Sequence, residues 1–329
     1  MNDKDVILKV DHLNKTFKVK SSQLFGKPAY LKAVNDVSFE VHRGETIGII
    51  GESGCGKSTL GKSILRLIEP TSGDVVYNGK SLMGLERKEM NALRQEINMV
   101  FQDPYSSLDP RMTTGDLIEE PMIIHNIGTP EERKKRVQEL LKLVGLDYYH
   151  AIRYPHEFSG GQRQRINIAR ALAMNVKLLV CDEPVSALDV SVQAQVLNLL
   201  KELKDTLGLT YIFISHDLSV VKYISDRIII MYLGKIMEMG EAEEIYKNPA
   251  HPYTRALFSA IPPVSPFETK EEVELSGEIP SPLNMPPGCP FGNRCPYCTE
   301  ECRAASMELQ DIGEGHKVAC VRYLKGEIQ

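Results

Sequence analysis

The chain has 329 residues and a formal net charge of −5, from 39 basic and 44 acidic side chains, with 42% hydrophobic and 25% charged residues. That ordinary globular composition excludes a whole-chain basic footprint for nucleic acid, and the longest uninterrupted apolar run, Ile228 to Leu233, falls far short of the ~20 residues that span a bilayer. At roughly 150 residues per domain the length predicts two structural units, and the polar opening MNDKDVILKV carries no signal-peptide core, so the chain reads as cytoplasmic.

Short strands are expected over residues 5–50: Val6-Ile7-Leu8, then Ala33 to Val41, then the buried, β-branched run Thr46 to Ile50. A helix should follow from Lys57 to Ile68, because Leu60, Ile64, Leu67 and Ile68 fall on one face. Glu69-Pro70-Thr71-Ser72-Gly73 stops it. From about Asp103 to Gln164 the texture turns helical, with Val137, Leu140, Leu141 and Val144 forming a stripe beneath the charged run EERKKR at 131–136. That run reads as a solvated helix face. Strands resume at Leu178 to Asp182 and Tyr211 to Ile214, and Val196, Leu199, Leu200, Leu203 and Leu207 mark a one-sided helix between them. Alternating strands and helices argue for an α/β core with a largely parallel sheet. After Ile261 the pattern breaks: nine of the 19 prolines lie between Pro262 and Pro296, an irregular, extended tail.

Three motifs carry chemistry. Gly51-Glu52-Ser53-Gly54-Cys55-Gly56-Lys57-Ser58-Thr59 satisfies G-x-x-x-x-G-K-[ST], after a buried strand and before a helix. The glycines let successive N–H groups face phosphate oxygens, and the helix N-terminus adds partial positive charge. Lys57 should reach the β- and γ-phosphates and the Ser58 hydroxyl should meet Mg²⁺. The strand Leu178 to Cys181 ends in Asp182 and Glu183, which places two carboxylates at the sheet's C-terminal edge. Asp182 suits Mg²⁺, and Glu183 suits polarising the attacking water. Third, Phe158-Ser159-Gly160-Gly161-Gln162 precedes a helix and offers another anion-reading helix start.

Together with Gln102 after Met99-Val100-Phe101, Ser186-Ala187-Leu188-Asp189, and His216 after Phe213-Ile214-Ser215, this set resembles the ATP-binding subunits of ABC transporters over residues 5–260. The resemblance implies a P-loop NTPase core of ABC type, with an N-terminal antiparallel β subdomain and an inserted helical subdomain at about 103–164. It implies that Ser159, Gly160, Gly161 and Gln162 contact ATP held by an opposite subunit. It makes Gln102 a Mg²⁺ and water contact that senses membrane subunits, Asp189 an interface residue, and His216 a catalytic partner of Glu183. Phe17 takes the place of the family's adenine-stacking aromatic, with Tyr30 as a competitor.

Asp103-Pro104-Tyr105-Ser106-Ser107-Leu108-Asp109-Pro110-Arg111-Met112 and His251-Pro252-Tyr253-Thr254-Arg255-Ala256-Leu257 narrow the resemblance to dipeptide and oligopeptide importer ATPases of the F type, whose pattern nickel importers share. The resemblance implies a second homologous ATPase, so that a heterodimer forms, two membrane-spanning permease subunits and an extracellular solute-binding protein. It places the chain peripherally on the cytoplasmic face of the membrane, with no nucleic-acid partner. A soluble ABC ATPase of repair or translation is the rival, but one module, one signature and no sustained heptads count against it.

Five of the seven cysteines crowd into the tail, and in a reducing compartment such a cluster asks for a metal. Cys289, Cys295, Cys302 and Cys320 resemble the four-cysteine segment of these importers, which implies a [4Fe-4S] cluster at 262–329, beyond an ATPase region at 1–261. Cys298 departs from that pattern; with Cys295 it makes a C-x-x-C pair that would suit Zn²⁺, with His316 as a further candidate. The cluster staples the tail, or else senses redox state. Cys55 and Cys181 read as small buried residues.

Overall fold

The computed structural model describes residues 5–19, 29–260, 280–281, 283, 285–305 and 307–328. The chain divides into two compact units, one comprising Met1–Val41, Thr46–Met83 and Ser215–Gln329, the other His42–Glu45 and Gly84–Ile214. The first unit opens with β1 (Val6–Val19), β2 (Ala29–His42), β3 (Thr46–Ile50), α1 (Lys57–Ile64), β4 (Ser72–Tyr77) and β5 (Lys80–Ser81). The second follows with α2 (Arg87–Leu93), β6 (Ile97–Val100), α3 (Thr114–Ile124), α4 (Pro130–Leu143), α5 (Gly160–Ala171), β7 (Leu178–Asp182), α6 (Val190–Leu207) and β8 (Thr210–Ile214). The chain then returns to the first unit through α7 (Leu218–Ile224), β9 (Arg227–Tyr232), β10 (Lys235–Glu241), α8 (Ala242–Lys247) and α9 (Pro252–Ser259). It ends there with α10 (Glu300–Ala304), β11 (Gln310–Gly313), β12 (His316–Val318) and α11 (Val321–Leu324).

In the first unit, among the described residues, one sheet runs β2-β1-β4-β5, with β1–β4 and β4–β5 antiparallel. A second set runs β11-β12-β10-β9-β3, parallel only at β3–β9. Every residue of β3 is buried, as its unbroken apolar run requires. β1 extends well past Val6-Ile7-Leu8: its register against β4 shifts between Asp11 and Asn14, and its residues after Leu13 are only partly buried or exposed. An apolar signal therefore marks only its first half. α1 stops at Ile64, four residues early, because Arg66 adopts φ 48° and Leu67 turns to solvent.

In the second unit β8-β7-β6 are parallel neighbours, and β7 and β8 are buried at every position. The helical part is started by polar caps. Thr113 and Asp116 form a capping box on α3, and Thr129 and Glu132 form one on α4 with Pro130 in its first turn. The charged run of α4 faces solvent while Val137, Leu140 and Leu141 are buried, and Arg133 also pairs with Glu119 at 2.8 Å. α6 begins at Val190, earlier than the apolar stripe from Val196. Its first turn is largely exposed, and the Asp189 cap sets its start.

The cysteine-rich tail is more ordered than its composition suggests. β12 pairs with β10, setting Val318 opposite Glu238, and Val318, Cys320 and Ile328 pack with Ala250. The tail thus shares a core that it is too short to build. Under this seam Glu238 is fully buried, accepts N–H bonds from Ala250 (2.7 Å) and His251 (2.9 Å), and meets His316 Nε2 at 2.7 Å. His316, a candidate zinc ligand by sequence, gives Nε2 to Glu238 and does not line the cavity on which the tail thiols converge. Replacing Glu238 by Ala strands two backbone donors and a histidine in the interior, and should cost about 3 kcal/mol, read as a lowered urea midpoint.

Candidate functional site

In the first unit the loop between β3 and α1 holds the G-x-x-x-x-G-K-[ST] residues. Gly56 sits at φ 107°, and a Cβ there would meet the Ala33 carbonyl oxygen at 2.0 Å, so only glycine lets the loop close on β2. Ser53 and Gly54 are exposed, while Cys55 is buried, with its thiol pKa raised by that burial. Lys57 is 4% exposed, and its Nζ donates to the carbonyl oxygens of Gly51 (2.7 Å) and Glu52 (3.0 Å). Ser58 and Thr59 open α1, half-buried. Phe17 lies on β1 beneath the Lys15 ammonium, 4.9 Å from the ring centre; Tyr30, on β2, is 57% exposed. His216 is exposed just before α7, whose N-terminus is capped by Asp217.

Glu52 is also held by the tail. Arg294 Nη1 donates to both its carboxylate oxygens, at 3.0 and 2.8 Å, and the Glu52 N–H donates to the Tyr253 hydroxyl at 3.1 Å. The second sequence motif explains itself here. His251 caps α9 through Nδ1, which accepts the Tyr253 N–H at 3.0 Å, and Pro252 supplies the first helical residue. An acceptor nitrogen must be unprotonated, and burial pushes the His251 pKa down to about 4. Nothing in the sequence pattern marks Arg294; its role is visible only in the folded chain.

The second unit gathers a different set. Asp182 ends β7, 2% exposed, and Glu183 follows at φ 47°, a left-handed conformation rare for a residue with a side chain. Gln102 Nε2 donates to the Glu183 carboxylate at 2.8 Å, so two residues 81 apart in sequence meet. Ser159 caps α5 and forms a box with Gln162: its Oγ accepts the Gln162 N–H at 3.3 Å, and its own N–H donates to Gln162 Oε1 at 3.1 Å. Asp189 caps α6 by accepting the Val192 N–H at 3.0 Å. That bond, with the Ser191 hydroxyl, holds its carboxyl below the usual carboxylate range. The segment after Gln102 is pinned to α5: Ser107 Oγ bonds Asn167, and Arg170 donates to the Ser107 carbonyl at 2.6 Å.

The tail thiols converge. Cys289, Cys295, Cys298, Cys302 and Cys320 line one cavity, and none is in a disulfide. Burial pushes the Cys289 thiol up to about 12 and Cys295 up to about 11, and it raises Cys298 and Cys320 as well. Among the described residues no group of three or more His, Cys, Asp or Glu side chains closes tightly enough to hold a metal ion. The donor set is soft and all-sulfur.

Comparisons with known proteins agree with this geometry. The family described as "ABC transporter" matches residues 34–186, and "Oligopeptide/dipeptide transporter, C-terminal region" matches 237–302. The chain is 54% identical over 305 residues to YkfD of Bacillus subtilis, a putative oligopeptide transport ATP-binding protein, covering 92% of this chain and 93% of that one. It is 50% identical to the oligopeptide transport ATP-binding protein AppF of the same organism, covering 98% of each. It is 49% identical to the OppF counterpart of Haemophilus influenzae, covering 98% of this chain and 99% of that one. Among solved structures, the dimeric, ADP- and phosphate-bound ATP-binding cassette MJ0796 superposes with a TM-score of 0.63 at 33% identity, over 71% of this chain and 98% of that one.

Gly161 offers a direct test of the α5 placement, because a Cβ there would lie 2.2 Å from Val192 Cγ1 on α6. Gly161→Ala should cost about 1–3 kcal/mol by overpacking, and adding Val192→Ala should recover part of the loss of melting temperature.

Proposed function

Because the chain belongs to the ATP-binding subunits of oligopeptide ABC importers, with the ABC cassette fold, we propose that the residues assembled above carry out its ATPase reaction as follows. The protein is an ATPase that powers peptide import, with MgATP as its substrate. Neither nickel import nor a soluble, non-transport role is favoured by its relatives. The observation that carries the reading is the Gly51–Thr59 loop, with its buried lysine, between a buried parallel strand and a helix.

The loop N–H groups of Gly51, Glu52, Ser53, Gly54, Cys55 and Gly56 cradle the phosphates, and Lys57 exchanges its two carbonyl partners for the β- and γ-phosphate oxygens. Ser58, Gln102 and Asp182 serve the Mg²⁺ of the substrate, and Thr59 closes the nucleotide-binding loop. Glu183 takes the proton of the attacking water, and Gln102 keeps its carboxylate aimed by the 2.8 Å bond. His216 assists at the γ-phosphate. Phe17 carries the adenine, with Tyr30 as the competing ring. Ser159, Gly160, Gly161, Gln162 and Asp189 serve the nucleotide of a second, homologous ATPase, which makes the working pair a heterodimer. Support comes from α5, whose capped N-terminus is a donor-rich anion reader.

Membrane permease subunits and an extracellular binding protein complete such importers. Among the described residues no helix is long and apolar enough to cross a membrane. We place the chain peripherally on the cytoplasmic face, with a permease segment seated in the groove of about 340 Å³ lined by Arg94, Phe101, Pro121 and Ile124. Phe101 directly precedes Gln102, so occupancy of the groove reaches Glu183 through one residue.

Residues 1–261 are read as the ATPase region and 262–329 as the importer-type segment. There Cys289, Cys295, Cys302 and Cys320 would hold a [4Fe-4S] cluster whose contribution is structural, cross-linking a segment that has little core of its own. Zn²⁺ is the alternative, through Cys295 and Cys298; His316 does not line the thiol cavity. Burial raises the thiol pKa of Cys289, Cys295 and Cys320, so their binding to a metal would release protons.

Glu183→Gln should lower ATP turnover about 10²–10⁴-fold while ATP binding persists; brisk hydrolysis by that variant refutes the role. After anaerobic purification, Cys302→Ala should lose iron, whereas Cys298→Ala should keep parental iron content. Stoichiometric zinc without iron would overturn the cluster.

A further inference from the structure

Arg294 lies in the cysteine-rich tail, directly before Cys295, yet its guanidinium is spent on the phosphate loop. Its side chain is 7% exposed and that of Glu52 is 20% exposed, and one nitrogen serves both carboxylate oxygens. The same nitrogen reaches the Tyr232 hydroxyl at 3.4 Å, and the guanidinium lies 5.9 Å from the ring centre of Tyr232 and 6.0 Å from that of Phe291. Phe291 is fully buried and packs on Tyr232 and Tyr253 at 5.5 and 5.3 Å. An aromatic layer thus carries the tail onto the loop.

Glu52 is consequently held at three atoms: its carboxylate by Arg294, its N–H by Tyr253, and its carbonyl by Lys57. The arrangement has an electrostatic side as well. A carboxylate in the second position of a phosphate-binding loop repels a triphosphate unless its charge is cancelled locally. Arg294 is the cation that cancels it.

We propose that Arg294 is a positioning residue for ATP binding, supplied by the cysteine-rich tail: it neutralises Glu52 and fixes its peptide so that the phosphate loop accepts the nucleotide. The inference rests on the reading of Gly51–Thr59 as the ATP site. It assigns to the tail a duty toward the nucleotide that is separate from holding a cluster.

The test uses the full-length chain, purified anaerobically, with a fluorescent mant-ATP probe and Mg²⁺. Arg294→Met should weaken binding about tenfold, the scale of one lost charge-assisted hydrogen bond. Adding Glu52→Gln removes the uncancelled charge and should bring affinity back to within about threefold of the parent. A residue that only braces the tail shows no such rescue. Arg294→Lys, which keeps the charge and gives up the planar guanidinium on the aromatic layer, should bind more tightly than Arg294→Met, and Arg294→Gln stands in if the Met variant does not fold. Arg294→Met, or Arg294→Gln in its place, binding within twofold of the parent overturns the proposal, as does a double variant as weak as the single one. Lys57→Ala separates the two levels: it should abolish binding, and full affinity there removes the ATP-site reading on which the proposal stands.

Discussion

A buried ammonium held by the carbonyl oxygens of its own loop, with the Cys55 sulfur at 3.9 Å, is the constraint around which that loop is built. Lys57 is 4% exposed and its Nζ sits on the Gly51 and Glu52 carbonyl oxygens. Carbonyl dipoles satisfy hydrogen-bond directions but do not cancel a full charge in the interior. On the proposed reading phosphate brings such a counter-charge, and the loop is preset for an anion. The same demand explains Gly56: a side chain there would collide with the Ala33 carbonyl, and the loop would open and wet the lysine.

The parts of the molecule that can be read from the sequence are those whose physics is local. β3, β7 and β8 announce themselves as short, unbroken apolar runs because both their faces are buried. The phosphate loop is legible because backbone curling, phosphate contact and helix start all need fixed residues at fixed spacing. The helix start after Ser159 is legible from its motif, whereas the start of α6 at Asp189 is not, since its first-turn residues are largely exposed and carry no stripe. The far half of β1 escapes for the same reason: strand pairing with β4 holds it, and pairing leaves no composition signal.

What the sequence withholds is long-range pairing of polar groups. Glu238 and His316 are 78 residues apart, and Arg294 and Glu52 are 242 apart. Nothing in the sequence marks any of these residues as the partner of the other. His316 shows the hazard: close to the cysteines in sequence, it reads as a ligand, but burial of Glu238 claims it first. A carboxylate with no exposure requires every available donor, and two backbone N–H groups plus an imidazole meet that requirement.

The tail's two apparent tasks follow from one shortage. A segment rich in proline and cysteine cannot bury enough apolar surface to order itself. Its order must come from neighbours or from a cross-linking group, and the chain uses neighbours at two places. One is the seam of β12 on β10 above Glu238; the other is the aromatic layer of Tyr232, Tyr253 and Phe291 under the phosphate loop. Docking of this kind works in both directions, since whatever orders the tail also fixes the surfaces it docks on. The phosphate loop is one of those surfaces, and the ion pair between Arg294 and Glu52 is where ordering of the tail becomes geometry and charge at the nucleotide loop.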